Sequence, residues 1–277
     1  MEQSHSPKRT KYVVLDKPIG QTPLETIDAW KNEHTEYNDV AASYAGRLDP
    51  MASGKLLVLL GEECKKQADY TKLDKEYEIE VVLDLSTDTG DTLGLPIYAG
   101  DETSPNKSAV QAALCTVRGS HQVPYPAFSS KTVQGKPLFL YALEGALDSI
   151  PRPMHTETIY RIQVLEQKHI SRAELQERIR NTLTVVPRSD EPSKVLGADF
   201  RQDAVRAAWT TVFEDMPERS FVVLRLRVTC ASGTYMRSLA ERIASALGTN
   251  GLALSIKRTR IGRYQKILEL GWWLAAY

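Results

Sequence analysis

The sequence predicts a mixed α+β fold with several antiparallel-type strands, and three observations carry that prediction. Leu224, Leu226, Val228 and Cys230 alternate with Arg225, Arg227 and Thr229, the period of a half-buried strand. Met236, Leu239, Ile243 and Leu247 then recur at helical spacing up to Gly248. Residues 166–217 carry two helical patterns in succession, a helical hairpin inserted between strands.

In chain order, Tyr12 to Leu15 reads as a strand that ends at the Pro/Gly turn Asp16-Lys17-Pro18-Ile19-Gly20. Thr22-Pro23-Leu24-Glu25 supplies an N-cap, a proline at the first helical position and a capping-box glutamate, so a helix starts there. Leu56 to Leu60 is long enough for one buried strand. Tyr77 to Leu83 is a strand with Ile79 and Val81 on one face and Glu78 and Glu80 on the other. Ser104-Pro105 opens a helix with Val110, Leu114 and Val117 in register, closed by Gly119. In the insertion, Ser171 to Glu174 is a second capping box, followed by Leu175, Ile179 and Leu183 and stopped by Pro187. A polar linker with Pro192 leads through Asp199 to a helix carrying Val205, Trp209 and Val212. Nothing in this insertion suggests chemistry, so packing or a partner contact is its expected role.

A chain of 277 residues fits one large domain or two modest ones, and 42% hydrophobic with 25% charged residues is ordinary globular composition. The polar start from Met1 to Thr10 has no apolar signal-peptide core, and no apolar run approaches a membrane span. Cys64, Cys115 and Cys230 lie far apart without a CxxC, which argues for reduced thiols in a cytoplasmic protein and against a zinc site. Lysines and arginines balance acids at 35 each, yet their distribution is uneven. No acid lies between Asn106 and Leu143, where Lys107, Arg118, Lys131 and Lys136 stand among Tyr125, Phe128, Phe139 and Tyr141. A second acid-free stretch, Arg242 to Leu268, holds Lys257, Arg258, Arg260, Arg263 and Lys266, while acids concentrate between Glu62 and Glu102. Such segregation predicts a basic face and an acidic one, the footprint of a polyanion binder. The interleaved rings favour RNA, whose unpaired bases can stack on them.

Asp49 is the most informative acid. Gly46 and Gly54 bracket it, Pro50 follows it, and the buried-strand run comes next, so the carboxylate is presented on a rigid turn. That placement suits an oriented nucleophile or base. On local pattern alone, an Asp-Pro turn entering a core strand is the simpler reading.

Beyond the local pattern, the chain resembles the TruB-type pseudouridine synthases. The resemblance starts at Asp16-Lys17-Pro18-Ile19-Gly20-Gln21-Thr22 and continues through the run from Gly46 to Gly54, Leu60-Gly61-Glu62 and Asp74-Lys75-Glu76-Tyr77. Gln134 to Leu138 with Tyr141-Ala142 is similar to the family's RNA-gripping thumb, and Ser232 to Arg237 and Ile256 to Thr259 complete the set. Such blocks in the family's order are together far more specific than any one alone.

The resemblance implies a mixed, mainly antiparallel sheet flanked by helices, forming one catalytic domain over residues 1–277. The thumb spans about 122–145, the helical insertion about 166–217, and the chain ends too soon for a C-terminal PUA domain. The implied activity is isomerisation of a uridine in the tRNA T-loop, position 55, to pseudouridine. The N1–C1′ bond breaks, the base turns, and C5 joins the same carbon, so no cofactor or metal is required. Positive charge develops at the sugar carbon, and a carboxylate is its natural partner. The resemblance makes Asp49 that carboxylate, and the sequence does not choose between attack on C1′ and abstraction of a sugar proton. It also sets Tyr77 against the flipped uracil, lets Tyr235 shape the pocket, and pairs Arg237 with Asp49 to hold it ionised and oriented. Lys257 and Arg258 are expected at the rim as phosphate contacts, with Lys131 and Lys136 gripping RNA from the thumb. The implied partner is tRNA, bound by a cytoplasmic monomer without a membrane.

The chain departs from the family pattern at Tyr44, where many members carry a histidine that helps replace the extruded base; a tyrosine could stack similarly. Arg47 is similar to the Gly-Arg-Leu-Asp turn of ribosomal-RNA synthases. An rRNA- or guide-RNA-dependent synthase is therefore an alternative, as is a non-catalytic tRNA-binding or folding protein. The guide-dependent class typically lacks the thumb seen here.

Overall fold

The computed structural model describes residues 10–100, 102–186, 201–267 and 270–277. The N-terminal third begins with β1 (Tyr12–Lys17), α1 (Pro23–Glu33), β2 (Ala42–Ala45), β3 (Ala52–Leu60) and α2 (Gln67–Thr71). β4 (Asp74–Leu83), β5 (Leu85–Thr87), β6 (Pro96–Tyr98), α3 (Lys107–Val117) and β7 (Gly119–Pro124) follow. A small hairpin, β8 (Thr132–Val133) and β9 (Lys136–Pro137), then leads into α4 (Leu138–Leu143). The last third holds β10 (Met154–Ser171), α5 (Arg172–Val185), α6 (Gln202–Asp215), β11 (Ser220–Cys230), α7 (Met236–Ala246), β12 (Gly251–Ile267) and β13 (Leu270–Ala276).

One sheet organises the molecule, in the order β1-β3-β12-β4-β11-β10-β7, with β13 added to β12 and β2 to β3. Its pairings are antiparallel except β12 on β3, a short parallel contact that sets Ile256, Lys257 and Arg258 opposite Ala52, Ser53 and Gly54. Gly54 is required there. Its φ is +99°, and a Cβ at this position would lie 2.2 Å from the Arg258 carbonyl oxygen. The sheet is therefore the mainly antiparallel one that the sequence implied, closed at one place by a backbone contact only glycine permits.

Helices cover both faces. The strand side that carries Tyr77, Ile79 and Val81 packs with Leu224, Leu226 and Val228 against α3 and α7, through Val110, Leu114, Leu239 and Ile243. The opposite side, with Val82, Phe221, Val223, Leu252 and Leu254, is covered by α5 and α6 through Leu175, Ile179, Leu183, Val205, Trp209 and Phe213. Burial of apolar side chains on this scale is the main favourable contribution to folding. The inserted hairpin therefore has a packing role, on the sheet face opposite α7.

Its limits differ from the sequence reading. Residues 166–171 belong to β10, whose long pairing with β11 runs to Ser171, so the helices begin only at Arg172. Ser171 caps α5 as expected, accepting from the Glu174 N–H at 3.1 Å. Arg201 precedes α6 in a left-handed conformation, and Phe213, with Val205 and Trp209, fills the buried stripe assigned to Val212, which is only partly buried. Pro187, Pro192 and Asp199 lie outside the described residues. Upstream, the capping box of α1 forms with both bonds. Asn106, rather than Ser104-Pro105, caps α3, because its side chain reaches the Ala109 N–H at 2.9 Å. α3 ends at Val117 and Gly119 already starts β7.

The expected acidic face is not formed by the acids of β4 and the segment after it. Glu78 pairs with Arg225 and Arg227, Glu80 with Arg178, Asp84 with Arg219, and Asp88 with Arg201. These acids are far in sequence from the arginines they pair with, and the fold brings them together. Among the described residues, no helix is long and apolar enough to cross a membrane.

Candidate active site

The turn between β2 and β3 carries Asp49, and it is pinned from three sides. Gly20, at φ +93°, donates its N–H to the Pro50 carbonyl at 2.8 Å. The Asp49 carbonyl accepts the Ala52 N–H at 3.0 Å, which closes the turn onto β3. From the sheet below, Arg258 donates Nε to the Lys55 carbonyl at 2.7 Å and Nη2 to the Gly46 carbonyl at 3.1 Å. Arg258 is 1% exposed, so its donors are satisfied by backbone carbonyls rather than by water. This corrects the sequence expectation for Arg258. It is a buried brace for the Asp49 turn, not a phosphate contact at the rim. Lys257, next to it on β12, points the other way and is exposed, because successive strand residues face opposite sides.

The Asp49 carboxylate reaches Arg237 in the first turn of α7, with Nε donating to Oδ2 at 3.0 Å. The acid's side chain is 39% exposed and the arginine's only 6%, so a wet carboxylate meets a dry guanidinium. Arg237 also donates Nη1 to the Thr89 carbonyl at 2.7 Å and Nη2 to the Phe128 carbonyl at 3.0 Å. These bonds fix the plane of the guanidinium and therefore the direction from which Asp49 is held. A second carboxylate, Asp91, lies 3.6 Å from the same Nε and accepts from Thr89 Oγ1 at 2.7 Å and the Leu93 N–H at 2.9 Å. Burial pushes the Asp91 carboxyl up, and Arg237 opposes that push. Burial also works against the charge of Arg237, but Asp49 and Asp91 more than offset it.

A cavity of about 390 Å³ opens at Asp49, lined by Tyr77, Asp91, Phe128, Tyr235, Arg237 and Ile256 among others. Tyr77 is buried on β4 and Tyr235 is half-buried at the start of α7; burial pushes both phenols up, so both are neutral donors at physiological pH. Two more cations lie beneath the turn. Lys17 donates to the carbonyls of Pro18 and Gln21, and Lys75 to those of Thr71 and Leu73. Such a chamber brings buried cations, aromatic rings and two oriented carboxylates, Asp49 and Asp91, to one opening.

The sequence-predicted residues thus divide. Asp49, Tyr77, Tyr235, Arg237 and Arg258 meet at one cavity. Lys131 and Lys136 stand on the hairpin segment whose neighbours Phe128, Ser129, Ser130 and Phe139 form part of the cavity wall. The Lys131 ammonium sits over the Tyr125 ring at 5.2 Å, while Lys136 lies over Tyr141 and is paired with Glu144. Tyr141 is buried with Leu138 and Ile150 in the segment's own small core, so its ring is not offered to a base. Tyr44 is not brought to the cavity. Its ring packs against the cluster of Ile27, Val40, Leu56, Val58 and Leu60 under α1, which removes it from the position expected of a wedge.

Sequence reasoning gave no site role to Asp91, Lys75 or Lys17. Asp91 follows Gly90 in a polar turn, a pattern without a chemical signature, whereas Lys17 and Lys75 stood inside matched motifs with nothing to mark them as buried.

With the mixed sheet and the acid, arginine and two tyrosines of its cavity described, comparison with known proteins gives the family. A chain in the crystal structure of a Cbf5-Nop10-Gar1 complex shares the fold, with a TM-score of 0.51 over 91% of this chain and 48% of that one, at 20% identity. The TruB family pseudouridylate synthase (N terminal domain) model matches residues 35–182, and the chain belongs to that family. It is 32% identical over 251 residues to tRNA pseudouridine synthase B of Burkholderia mallei (strain NCTC 10247), covering 90% of this chain and 64% of that protein. It is 29% identical over 252 residues to tRNA pseudouridine synthase B of Hydrogenovibrio crunogenus (strain DSM 25203 / XCL-2), with the same coverage of 90% and 64%. The chain therefore spans just under two thirds of the length of these relatives.

The buried lysines give the site a pH signature. Burial, with the charge of Arg258 acting the same way, pushes Lys75 down from 10.5 to about 8. Between those values the unfolded chain holds a proton that the folded protein has released, so this group makes stability rise with pH across that window. Urea denaturation at pH 8 and at about pH 10 should show a larger gain for the native sequence than for Lys75→Met, by roughly 1 to 3 kcal/mol. Equal gains in the two proteins contradict the assignment of a buried, charged Lys75.

Proposed function

We propose that the protein isomerises a uridine of the tRNA T-loop, at position 55, to pseudouridine, with Asp49 as the reacting carboxylate. The observation that carries this reading is the carboxylate itself, held at 3.0 Å by a buried arginine at the mouth of a cavity walled by two tyrosines. Family membership and the names of the relatives support the reaction class and the tRNA substrate.

The reaction needs little from the protein besides orientation and charge. The N1–C1′ bond breaks, the base rotates, a C5–C1′ bond forms, the proton on C5 leaves, and N1 ends with one. Nothing is consumed. Asp49 faces the sugar in this reading, either bonding to C1′ or taking a sugar proton, and both roles need a carboxylate held in one direction. Arg237 sets that direction. Tyr77 lies against the uracil ring and Tyr235 closes the pocket beside it, so the detached base turns without escaping. The apolar wall formed by Phe128, Ile256 and Leu93 keeps water from the sugar carbon, where it would give hydrolysis instead of isomerisation. Lys131, Lys136 and Lys257 contact phosphates of the RNA outside the cavity.

Two measurements test this reading. Purified protein incubated with unmodified tRNA transcript should produce pseudouridine detectable by mass spectrometry, and Asp49→Asn should lose at least about four orders of magnitude in rate, as loss of a reacting group does. Activity of that variant within about tenfold of the native protein would sink the assignment. Binding, in turn, should weaken steeply with salt despite zero net charge. Lys131→Ala with Lys136→Ala should flatten the slope of log affinity against log salt by about one to two. The pair Arg172→Ala and Arg178→Ala should leave the slope unchanged, since those residues bind Glu218 and Glu80 within the protein. The reverse ranking contradicts the thumb contact.

A further inference from the structure

A buried acid outside the cavity is hydrogen-bonded to the helix that forms one of its walls. Glu157 lies on β10 and is fully buried, at 0% exposure. An acid on the inward face of a strand, two residues before the buried Ile159, must be satisfied by specific partners. Its Oε1 accepts the backbone N–H of Tyr235 at 2.9 Å and faces His155 Nε2 at 3.2 Å, while Oε2 accepts from Arg242 Nη1 at 2.8 Å.

Those partners are significant because of where they stand. Tyr235 is the residue immediately before α7, its side chain caps nothing, and Arg237 follows two positions later. A carboxylate on the first free N–H of a helix complements the positive end of the helix dipole. Arg242 lies further along α7, so one carboxylate grips the helix at two points. His155 extends the connection outward. Its ring stacks on Tyr125 at 4.1 Å and meets the Tyr235 ring edge-on at 5.6 Å, and Lys131, just before the hairpin, sits over the Tyr125 ring. Arg152 donates to the Tyr125 carbonyl at 2.6 Å and the Tyr125 N–H donates to the Pro153 carbonyl at 3.0 Å, which ties the Tyr125 backbone to the segment just before β10. His155 Nδ1 is buried without a hydrogen-bond partner, so the ring is retained for its stack and its Nε2 contact alone.

We propose that Glu157 and His155 are positioning residues of the candidate active site: together they fix the first turn of α7, and with it Tyr235 and Arg237, and couple that turn to the 125–145 segment. The roles of Tyr235 and Arg237 rest on the functional reading above; the anchoring itself does not. Neither residue touches the cavity, so both act through Tyr235 and Arg237.

The test uses the full chain and two variants. Glu157→Gln keeps the shape but loses the charge, and His155→Phe keeps the ring stack but loses Nε2. Hydrogen exchange at the Tyr235 amide should accelerate in Glu157→Gln by at least about tenfold, because its acceptor is weakened. Single-turnover pseudouridine formation should fall by about 100-fold, the scale set by misplacing a reacting group by about 1 Å, while tRNA affinity stays within about threefold. His155→Phe should move both readouts the same way by a smaller factor, and it carries the test if the first variant does not fold. Unchanged Tyr235 exchange in both variants overturns the proposal, as does faster exchange with an unchanged single-turnover rate, or loss of rate matched by loss of affinity. If the native protein forms no pseudouridine, the functional reading alone fails, and the exchange measurement still decides whether the anchor exists.

Discussion

Two buried guanidiniums hold the turn that carries Asp49, and the site depends on both. Arg258 reaches it from below, from a strand placed there by the parallel contact of β12 with β3. Arg237 reaches it from the side, from a helix that begins soon after the end of the interior strand β11. A short turn with two glycines has many accessible conformations, and fixing one of them costs conformational entropy. Here that cost is offset by bonds to charged donors that have no better partner, since each guanidinium is dry and its acceptors are backbone carbonyls or the acid itself. Removing either arginine would release the turn and also strand buried carbonyls.

The same arrangement explains why so much positive charge lies near a single acid. Lys17, Lys75, Arg237 and Arg258 are all buried close to the turn, against Asp49 and Asp91. Desolvation should make this unfavourable, and burial does depress both lysines, each to about 8. The cations persist because backbone carbonyls satisfy their donors. The result is a fixed positive field under a half-exposed carboxylate, suited to an anionic polymer entering from the open side. Burying these cations costs stability locally, an arrangement common where a site is preorganised.

Much of the fold was legible in the sequence because it rests on local signals. The capping box of α1, the Ser171 cap of α5, the alternation in β11 and the stripe of α7 each depend on residues a few positions apart and formed, although the return bond from the Glu174 side chain expected at α5 is not made. The insertion's limits were less legible because β10 continues six residues into a region whose helical pattern begins beyond it. The meeting of Asp49 with Arg237 could be anticipated only through motifs, since 188 positions separate them in the chain. What failed was exposure. Arg258 and Lys257 are adjacent and chemically alike, and only the strand's facing makes one a buried brace and the other a surface cation. Tyr44 was assigned by its distance from Gly46, but β2 turns its ring toward α1. Glu157 gave a weak signal, an acid sharing a strand face with Ile159, that only the packed structure turns into an anchor.

In the proposed function a directed arginine, and not merely a nearby positive charge, prepares Asp49. Arg237→Lys separates the two, because a lysine keeps the charge but cannot donate along Nε to Asp49 while bonding Thr89 and Phe128 with its other nitrogens. The decisive measurement is the single-turnover rate of pseudouridine formation by this variant on tRNA, with affinity measured alongside. The account expects the rate to fall by at least about 100-fold with affinity changed by no more than about threefold. A rate within about threefold of the native protein would contradict it.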